Sequence, residues 1–128
     1  MAYTSSMVDE SATKVFNTAT DLTGGAFTAV ELGGSGVSTA GANSVPIGLL
    51  IGEYELPIPA GEEVTLQVRG GGLWLAGESL AAGDLLAAGA DGKAVKATSG
   101  GFIFAQALEN AKTNQAAQVQ IIRGGFKG

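Results

Sequence analysis

The chain has 128 residues, of which 45% are hydrophobic and 15% charged, and its formal net charge is −5. The apolar content is ample for a core, and the charge is too low to keep the chain open, so a disordered chain is excluded. Cysteine and histidine are absent, which excludes disulfides, the usual zinc sites and Ser-His-Asp chemistry, and no apolar run approaches the ~20 residues of a membrane span.

Residues 1–16 are predicted to form an extended N-terminal arm. Their sequence, MAYTSSMVDESATKVF, lacks the basic and apolar regions of a signal peptide, so we expect a protein that is made and used without export. Apolar residues are scattered along this polar arm, namely Tyr3, Met7, Val8 and Phe16. Two roles are open for them: they anchor the arm on a partner, for example by adding a strand to a sheet edge, or they pack on the arm's own domain.

Residues 17–128 are predicted to form a single β-rich domain. FTAVELGG, residues 27–34, has the pattern of one strand, and the Gly/Ser-rich stretch at about 33–44 is typical of a loop. VTLQVR, residues 64–69, is the clearest strand, because apolar and polar residues alternate along it. The glycines at 70–72 are expected to end that strand before LWLAG begins another.

The stretch AAGADGKAVKA, residues 87–97, permits two interpretations, a phosphate-binding loop or a β-hairpin. A phosphate loop needs four residues between its glycines and a hydroxyl residue after the lysine. Gly89 and Gly92 have only two residues between them, and Lys93 is followed by Ala94. Asp91-Gly92 between small apolar segments is a strong hairpin signal, so we predict a hairpin.

Two further strands complete the predicted fold. FIFAQALE, residues 102–109, and QVQIIR, residues 118–123, both alternate, and polar loops or glycines separate them from their neighbours. Strands at this spacing, in a chain with 21 glycines, indicate an all-β sandwich or small barrel.

Some acidic residues occur in pairs in the sequence, and this pairing makes them candidates for catalysis or metal binding. Glu53 with Glu55, and Glu62 with Glu63, are close enough in sequence for a glycosidase-like carboxylate pair. The chain has one Trp and two Tyr, too few for the stacking surfaces of a sugar cleft, and no Asp-x-Asp-x-Asp spacing indicates calcium. We therefore expect solvated acids, no catalytic residues, no cofactor, no metal and no small-molecule substrate.

Trp74 and the charge distribution each leave two interpretations open. The Trp74 indole suits either a core position or a self-association interface. Eight acidic residues precede Val64 against Lys14 alone, whereas six basic and four acidic residues follow from Val64 onward. This asymmetry indicates a solvated acidic face or head-to-tail complementarity between copies, and it does not fit a nucleic-acid-binding protein.

Four stretches between Pro59 and Gly125, about half of the chain, carry a resemblance to a known family. EEVTLQVRGG, LAAGDLLAAGADGKAVKA, GGFIFAQALENA and AAQVQIIRGG resemble the small capsid cement, or head-decoration, proteins of tailed bacteriophages. The shared features are a Gly-Asp turn, an Asp-Gly-Lys hairpin and a final strand that ends in Arg-Gly.

The resemblance implies a tulip-type β-rich domain that assembles as homotrimers on the outer surface of an expanded capsid. There it would cement neighbouring major capsid protein subunits, with the N-terminal arm gripping the shell. The protein would then be made in the host bacterial cytoplasm and carried on the virion. The alternatives are another phage structural component, such as a head fibre, spike or tail protein, and a carbohydrate-binding β-sandwich module with Tyr3, Tyr54 and Trp74 as stacking candidates.

Overall fold

The structure is a computed structural model, and it describes residues 11–52 and 54–128. These residues form ten β-strands and no helix, so none of them lies in a helix that could cross a membrane. The strands are β1 (Thr13–Asn17), β2 (Ala29–Gly33), β3 (Gly36–Thr39), β4 (Gly48–Leu50), β5 (Glu63–Gln67), β6 (Gly70–Leu75), β7 (Leu85–Ala88), β8 (Ala94–Lys96), β9 (Phe102–Ala107) and β10 (Ala116–Phe126).

The strands form two five-stranded antiparallel sheets, which confirms the all-β prediction. Sheet 1 has the order β1-β5-β4-β2-β3, and sheet 2 has the order β6-β10-β9-β7-β8. Residues 11–69, here called the first half, therefore build one sheet, and residues 70–128, the second half, build the other. Only Val68 and Arg69 lie between β5 and β6, so the chain passes from one sheet to the other without a linker.

The two sheets have the same topology. Each strand of sheet 2 occupies the place of the strand five earlier in sheet 1. In both sheets the outermost strands also meet, because the segment after the first strand bridges the third strand in parallel, at Thr18 with Val37 and at Ala76 with Ala94. Each half is therefore a curled five-stranded unit, and the chain contains this unit twice.

The pairing register supports the duplication residue by residue. Phe16 pairs with Val64 on β1 and β5, as Trp74 pairs with Ala117 on β6 and β10. Further along each half, an isolated antiparallel bridge joins Leu22 to Ile58 and Leu80 to Ala111. Leu22 and Leu80 lie at the same sequence separation from the parallel bridges at Thr18 and Ala76. The halves thus share their backbone pairing although their side chains differ.

The core is divided between the halves by the alternation of side chains along β2 and β4. Ala29 and Leu49 belong to the larger buried cluster, which sheet 2 dominates, whereas Val30 and Leu50 belong to a smaller cluster within the first half. Successive residues of a strand point to opposite faces, so one face of sheet 1 covers its own core and the other packs towards sheet 2. This arrangement is a small β-sandwich.

Several local predictions are confirmed. Val64, Leu66 and Val68 are buried, as the alternation of VTLQVR requires. β7 and β8 pair as an antiparallel hairpin, with Ala88 opposite Ala94. FIFAQALE contains β9, and QVQIIR lies within β10, which continues beyond it to Phe126 across a register shift between Ile121 and Gly125.

The structure differs from the predictions at three segments. Residues 13–16, assigned to the arm, lie in β1 and pair with β5. Residues 36–39, assigned to the loop at 33–44, form β3, because Val37 is buried and its neighbours pair with β2. The glycines at 70–72, predicted to separate the VTLQVR and LWLAG strands, instead begin β6, since their backbones pair with Val119, Gln120 and Ile121 of β10.

Candidate functional site

The described members of the two carboxylate pairs lie on the surface. Glu55, Glu62 and Glu63 are exposed, and Glu53 lies outside the described residues. Across residues 11–52 and 54–128, no group of three or more acidic, His or Cys side chains is placed to hold a metal ion. The structural features that remain are the junction between the two halves and their outer surfaces.

The hairpin tip at residues 89–93 is the centre of the junction. The Gly89 amide donates to the Lys93 carbonyl oxygen at 2.7 Å and the Gly92 amide to the Gly89 carbonyl at 3.2 Å, so the tip closes on itself. The Lys93 ammonium contacts Asp91 at 3.6 Å and donates to Asn114 Oδ1 at 3.0 Å. Both of these partners lie in the same half as Lys93, as expected of a lysine in a turn and not of a lysine that binds phosphate.

Gly92 connects the cores of the two halves through its carbonyl oxygen. The Trp74 indole N–H donates to it at 2.8 Å, and the amide of Ala29 in β2 donates to it at 2.7 Å. Gly92 has φ +78°, and a Cβ there would lie 2.7 Å from the Ala29 carbonyl oxygen. Only glycine fits this close approach, because other residues rarely adopt this φ and would also clash.

Trp74 is fully buried in the larger core cluster. Its ring contacts the Phe104 ring edge to face, with centroids 5.5 Å apart, and its N–H has the Gly92 partner that a buried indole needs. Of the two roles left open for Trp74, the structure shows the core position.

Phe16 occupies in the first half the position that Trp74 occupies in the second. It is half-buried on β1 and packs against the smaller core cluster. The structure thus places Phe16 on its own domain, while Tyr3, Met7 and Val8 lie outside the described residues. The role of these three in gripping a shell stays a prediction.

Arg123 forms a second connection across the junction, which we call the Arg123 clamp. Its guanidinium donates to the carbonyl oxygens of Pro46 and Ile47 at 3.2 and 2.7 Å, and it lies 5.1 Å above the Phe104 ring. Partial burial lowers the pKa of Arg123 from its ordinary value, but a guanidinium remains charged at neutral pH. The sequence signalled this residue only as the end of the QVQIIR strand.

The junction is completed by backbone hydrogen bonds from irregular segments of the first half. The Leu75 amide donates to the Phe27 carbonyl at 2.7 Å, and the Asn43 amide donates to the Ala88 carbonyl at 3.1 Å. The first half uses residues 27–49 in this contact, whereas the second half uses β6, the end of β7, the hairpin tip and Arg123 of β10. The two equivalent units therefore meet through different faces.

The remaining aromatic candidate for a sugar site also packs inward. Tyr54 is half-buried against the smaller core cluster, and its hydroxyl accepts a hydrogen bond from the Thr65 amide at 3.1 Å. Trp74 is buried, and Tyr3 lies outside the described residues. The described aromatic residues named for carbohydrate stacking thus do not form an exposed platform.

Comparison with known proteins finds similarity at the level of structure. No family model and no curated protein matches the chain. Among solved structures, the crystal structure of the head fiber gp8.5 N base in bacteriophage phi29 superposes with a TM-score of 0.67 at 19% identity. The match covers 91% of this chain and 98% of that one, so both sheets, and not a single half, share the fold of the phi29 head fibre N base.

Proposed function

We propose that the protein is a non-enzymatic structural component of a phage virion that binds the outer surface of the capsid as a homotrimer. The observation that carries the proposal is the fold match to the N base of a phage head fibre over almost the whole of both chains. The sequence resemblance to capsid cement proteins rests on different data, the turn motifs of the second half, and also indicates the capsid surface.

Within this proposal, cementing neighbouring major capsid protein subunits is the first candidate role. A protein that binds only the expanded lattice stabilises that lattice by its binding free energy. Many copies, each contacting more than one subunit, add avidity without any single strong contact. Specificity for the expanded shell follows if the composite site is absent before expansion.

A head-fibre base is the second candidate role, and the structural comparison favours it specifically. A fibre base attaches a projecting structure to the shell and need not bridge capsid subunits. The two roles therefore agree on where the protein sits and differ in what its binding does to the shell.

Co-sedimentation with capsids of the source phage, stripped of this protein, tests the proposal. We expect saturable binding to expanded shells and none to unexpanded shells. The absence of binding to either shell would overturn the capsid role and direct the search to tail and spike assemblies.

Shell stability separates the two candidate roles once binding is established. A cement protein raises the temperature or denaturant concentration at which the expanded shell disassembles, in proportion to its occupancy. A fibre base that contacts a single capsid subunit binds dissociated subunits as well as the shell, so it leaves that midpoint unchanged. The measurement is the disassembly of shells at graded occupancy, followed by light scattering.

The predicted arm is tested by removing residues 2–10, which include Tyr3, Met7 and Val8. The deletion leaves Ser11 and Ala12, whose carbonyl oxygens accept hydrogen bonds from the Arg69 side chain and the Val68 amide. If the arm grips the shell, capsid binding falls strongly while the unfolding midpoint stays unchanged. Unchanged capsid affinity would assign the contact to the folded domain.

A further inference from the structure

The junction between the halves is asymmetric, because each half contributes a different face to it. The first half contributes a surface that we call face A, formed by Phe27, Ala29, Thr39, Ala40 and Leu49. The second half contributes face B, formed by Leu75, Ala88 and the hairpin tip at Gly92. Ala29, Ala40, Leu49 and Ala88 are buried in the shared core cluster, and Phe27 and Ala29 bond Leu75 and Gly92 directly.

Because the halves share one pairing pattern, each face has an equivalent on the other half. Ala29 pairs with Leu49 as Leu85 pairs with Gln106, and Ala40 bonds Ala29 as Ala97 bonds Leu85. The face A equivalent on the second half therefore consists of Gly83, Leu85, Lys96, Ala97 and Gln106.

This second face A is uncovered. Leu85 is 38% exposed, whereas its equivalent Ala29 is 0% exposed. A depression of about 310 Å³ lies there, lined by Leu85, Lys96 and Ala97 with Gly83, Asp84 and Lys127. The second half therefore has an exposed leucine beside a depression at the position where the first half is covered by the junction.

The equivalent of face B on the first half is uncovered as well. By register, Leu75 corresponds to Asn17 and Ala88 to Leu32, and the β2–β3 turn at Gly34 and Ser35 corresponds to the hairpin tip. All of these residues are exposed. Leu32 is 53% exposed against 1% for Ala88, so a large apolar side chain again marks the free face.

We propose that copies of this chain dock head to tail. The equivalent of face B on the first half of one copy contacts the equivalent of face A on the second half of the next copy. The contact would repeat between chains the contact that already joins the halves within one chain. It would bury Leu85 of one copy and Leu32 of the next. This inference rests on the self-association in the proposed function and assigns the surface that carries it.

The charge distribution supports the same orientation. The first half, which carries the free face B, has six acidic residues against Lys14 and Arg69. The free face A lies on the half with more bases than acids, and Lys96 and Lys127 line its depression. The opposite net charge of the two halves favours encounters in this direction over contacts between like halves.

A head-to-tail contact is heterologous, so it either closes into a ring or continues as an open chain. Each copy keeps one free face A and one free face B until closure. A variant that destroys only one face therefore retains a functional partner surface, and this property makes the inference testable with the purified chain.

The experiment measures the mass of the assembly by light scattering coupled to size exclusion for Leu85→Glu, Leu32→Glu and their equimolar mixture. The wild-type chain should form a multimer, which has three chains where the contact closes into the proposed homotrimer. Each variant alone should have the mass of one chain, because its altered face cannot accept the intact face of another copy. The mixture should form a one-to-one dimer, since the intact face B of Leu85→Glu meets the intact face A of Leu32→Glu.

Leu108→Glu is the matched control, because Leu108 is 51% exposed and belongs to neither face. It should assemble as the wild type does, and circular dichroism should show all three variants folded. A monomeric wild type, a variant of either face that assembles normally, or a mixture that stays monomeric would each overturn the head-to-tail contact.

These results are independent of capsid binding. A monomeric chain that still binds expanded shells would refute this interface and leave the capsid role intact. A chain that assembles head to tail but does not bind shells would support this interface and refute the capsid role.

Discussion

The indole N–H of Trp74 and the carbonyl oxygen of Gly92 are 2.8 Å apart and form a buried hydrogen bond. The same oxygen accepts the amide of Ala29 from the other half of the chain. A turn that the sequence marks by Asp-Gly therefore also holds the two duplicated units together. The stability of the junction should depend on this tip more than on the exposed hairpin residues around it.

Replacement of Trp74 by Phe should lower the free energy of unfolding by about 2 kcal/mol, because it removes part of a buried ring and the indole donor. Equilibrium urea unfolding measures the change. Val15→Thr is the control, since Val15 is 57% exposed and the two side chains have similar shape, and its effect should stay within ~0.5 kcal/mol. Equal effects of the two substitutions would contradict the core position of Trp74.

The fluorescence of the protein should report the same burial directly, because Trp74 is the one tryptophan of the chain. We expect a blue-shifted emission maximum and weak quenching by acrylamide in the folded state. Unfolding should shift the emission to that of a hydrated indole. Strong quenching of the native protein would show that the indole is accessible to solvent.

Gly92→Ala should destabilise the protein more than Gly61→Ala. Both glycines have φ near +80 to +90°, but an added Cβ meets the Ala29 carbonyl oxygen at Gly92 and nothing within 4 Å at Gly61. The strained φ alone costs about 1 kcal/mol, so Gly61→Ala measures that cost. We expect at least twice that loss at Gly92 in urea unfolding, and equal losses would show that the junction has room at the tip.

Arg123→Lys should cost about 1–2 kcal/mol, because an ammonium cannot donate to the Pro46 and Ile47 carbonyls and cover Phe104 in the same way. The residue has φ +46°, but Arg and Lys bear that strain equally. Arg69→Lys is the control, since the Arg69 side chain donates to one carbonyl oxygen, that of Ser11, among its described partners. Its effect should stay within ~0.5 kcal/mol, and a similar cost at both sites would refute the clamp.

The two halves should unfold in one cooperative transition although each forms its own sheet. Ala29 and Leu49 of the first half are buried in the cluster that contains Trp74, so loss of either half exposes the core of the other. Tryptophan fluorescence reports the second half and far-ultraviolet circular dichroism reports both. Coincident unfolding curves are expected, and separate midpoints would show that the halves are independent units.

Strands with clear alternation could be predicted from the sequence, and those without it could not. Val64, Leu66 and Val68 revealed β5 because one face of that strand is buried and the other is not. β3 was hidden because it contains a single large apolar residue, Val37. The glycines that open β6 carry no side-chain pattern at all, and only their backbone pairing with β10 makes them a strand.

By itself, the sequence determined the all-β class, the hairpin at Asp91-Gly92 and the lack of Cys and His chemistry, because these depend on composition and on local turn preferences. The duplication, the burial of Trp74 and the clamp at Arg123 were decided only by the tertiary structure. Backbone pairing can repeat while side chains diverge, so two equivalent units need not look alike in sequence. For the same reason, the exposure of Leu32 and Leu85 at equivalent faces appears only when the two sheets are compared in space.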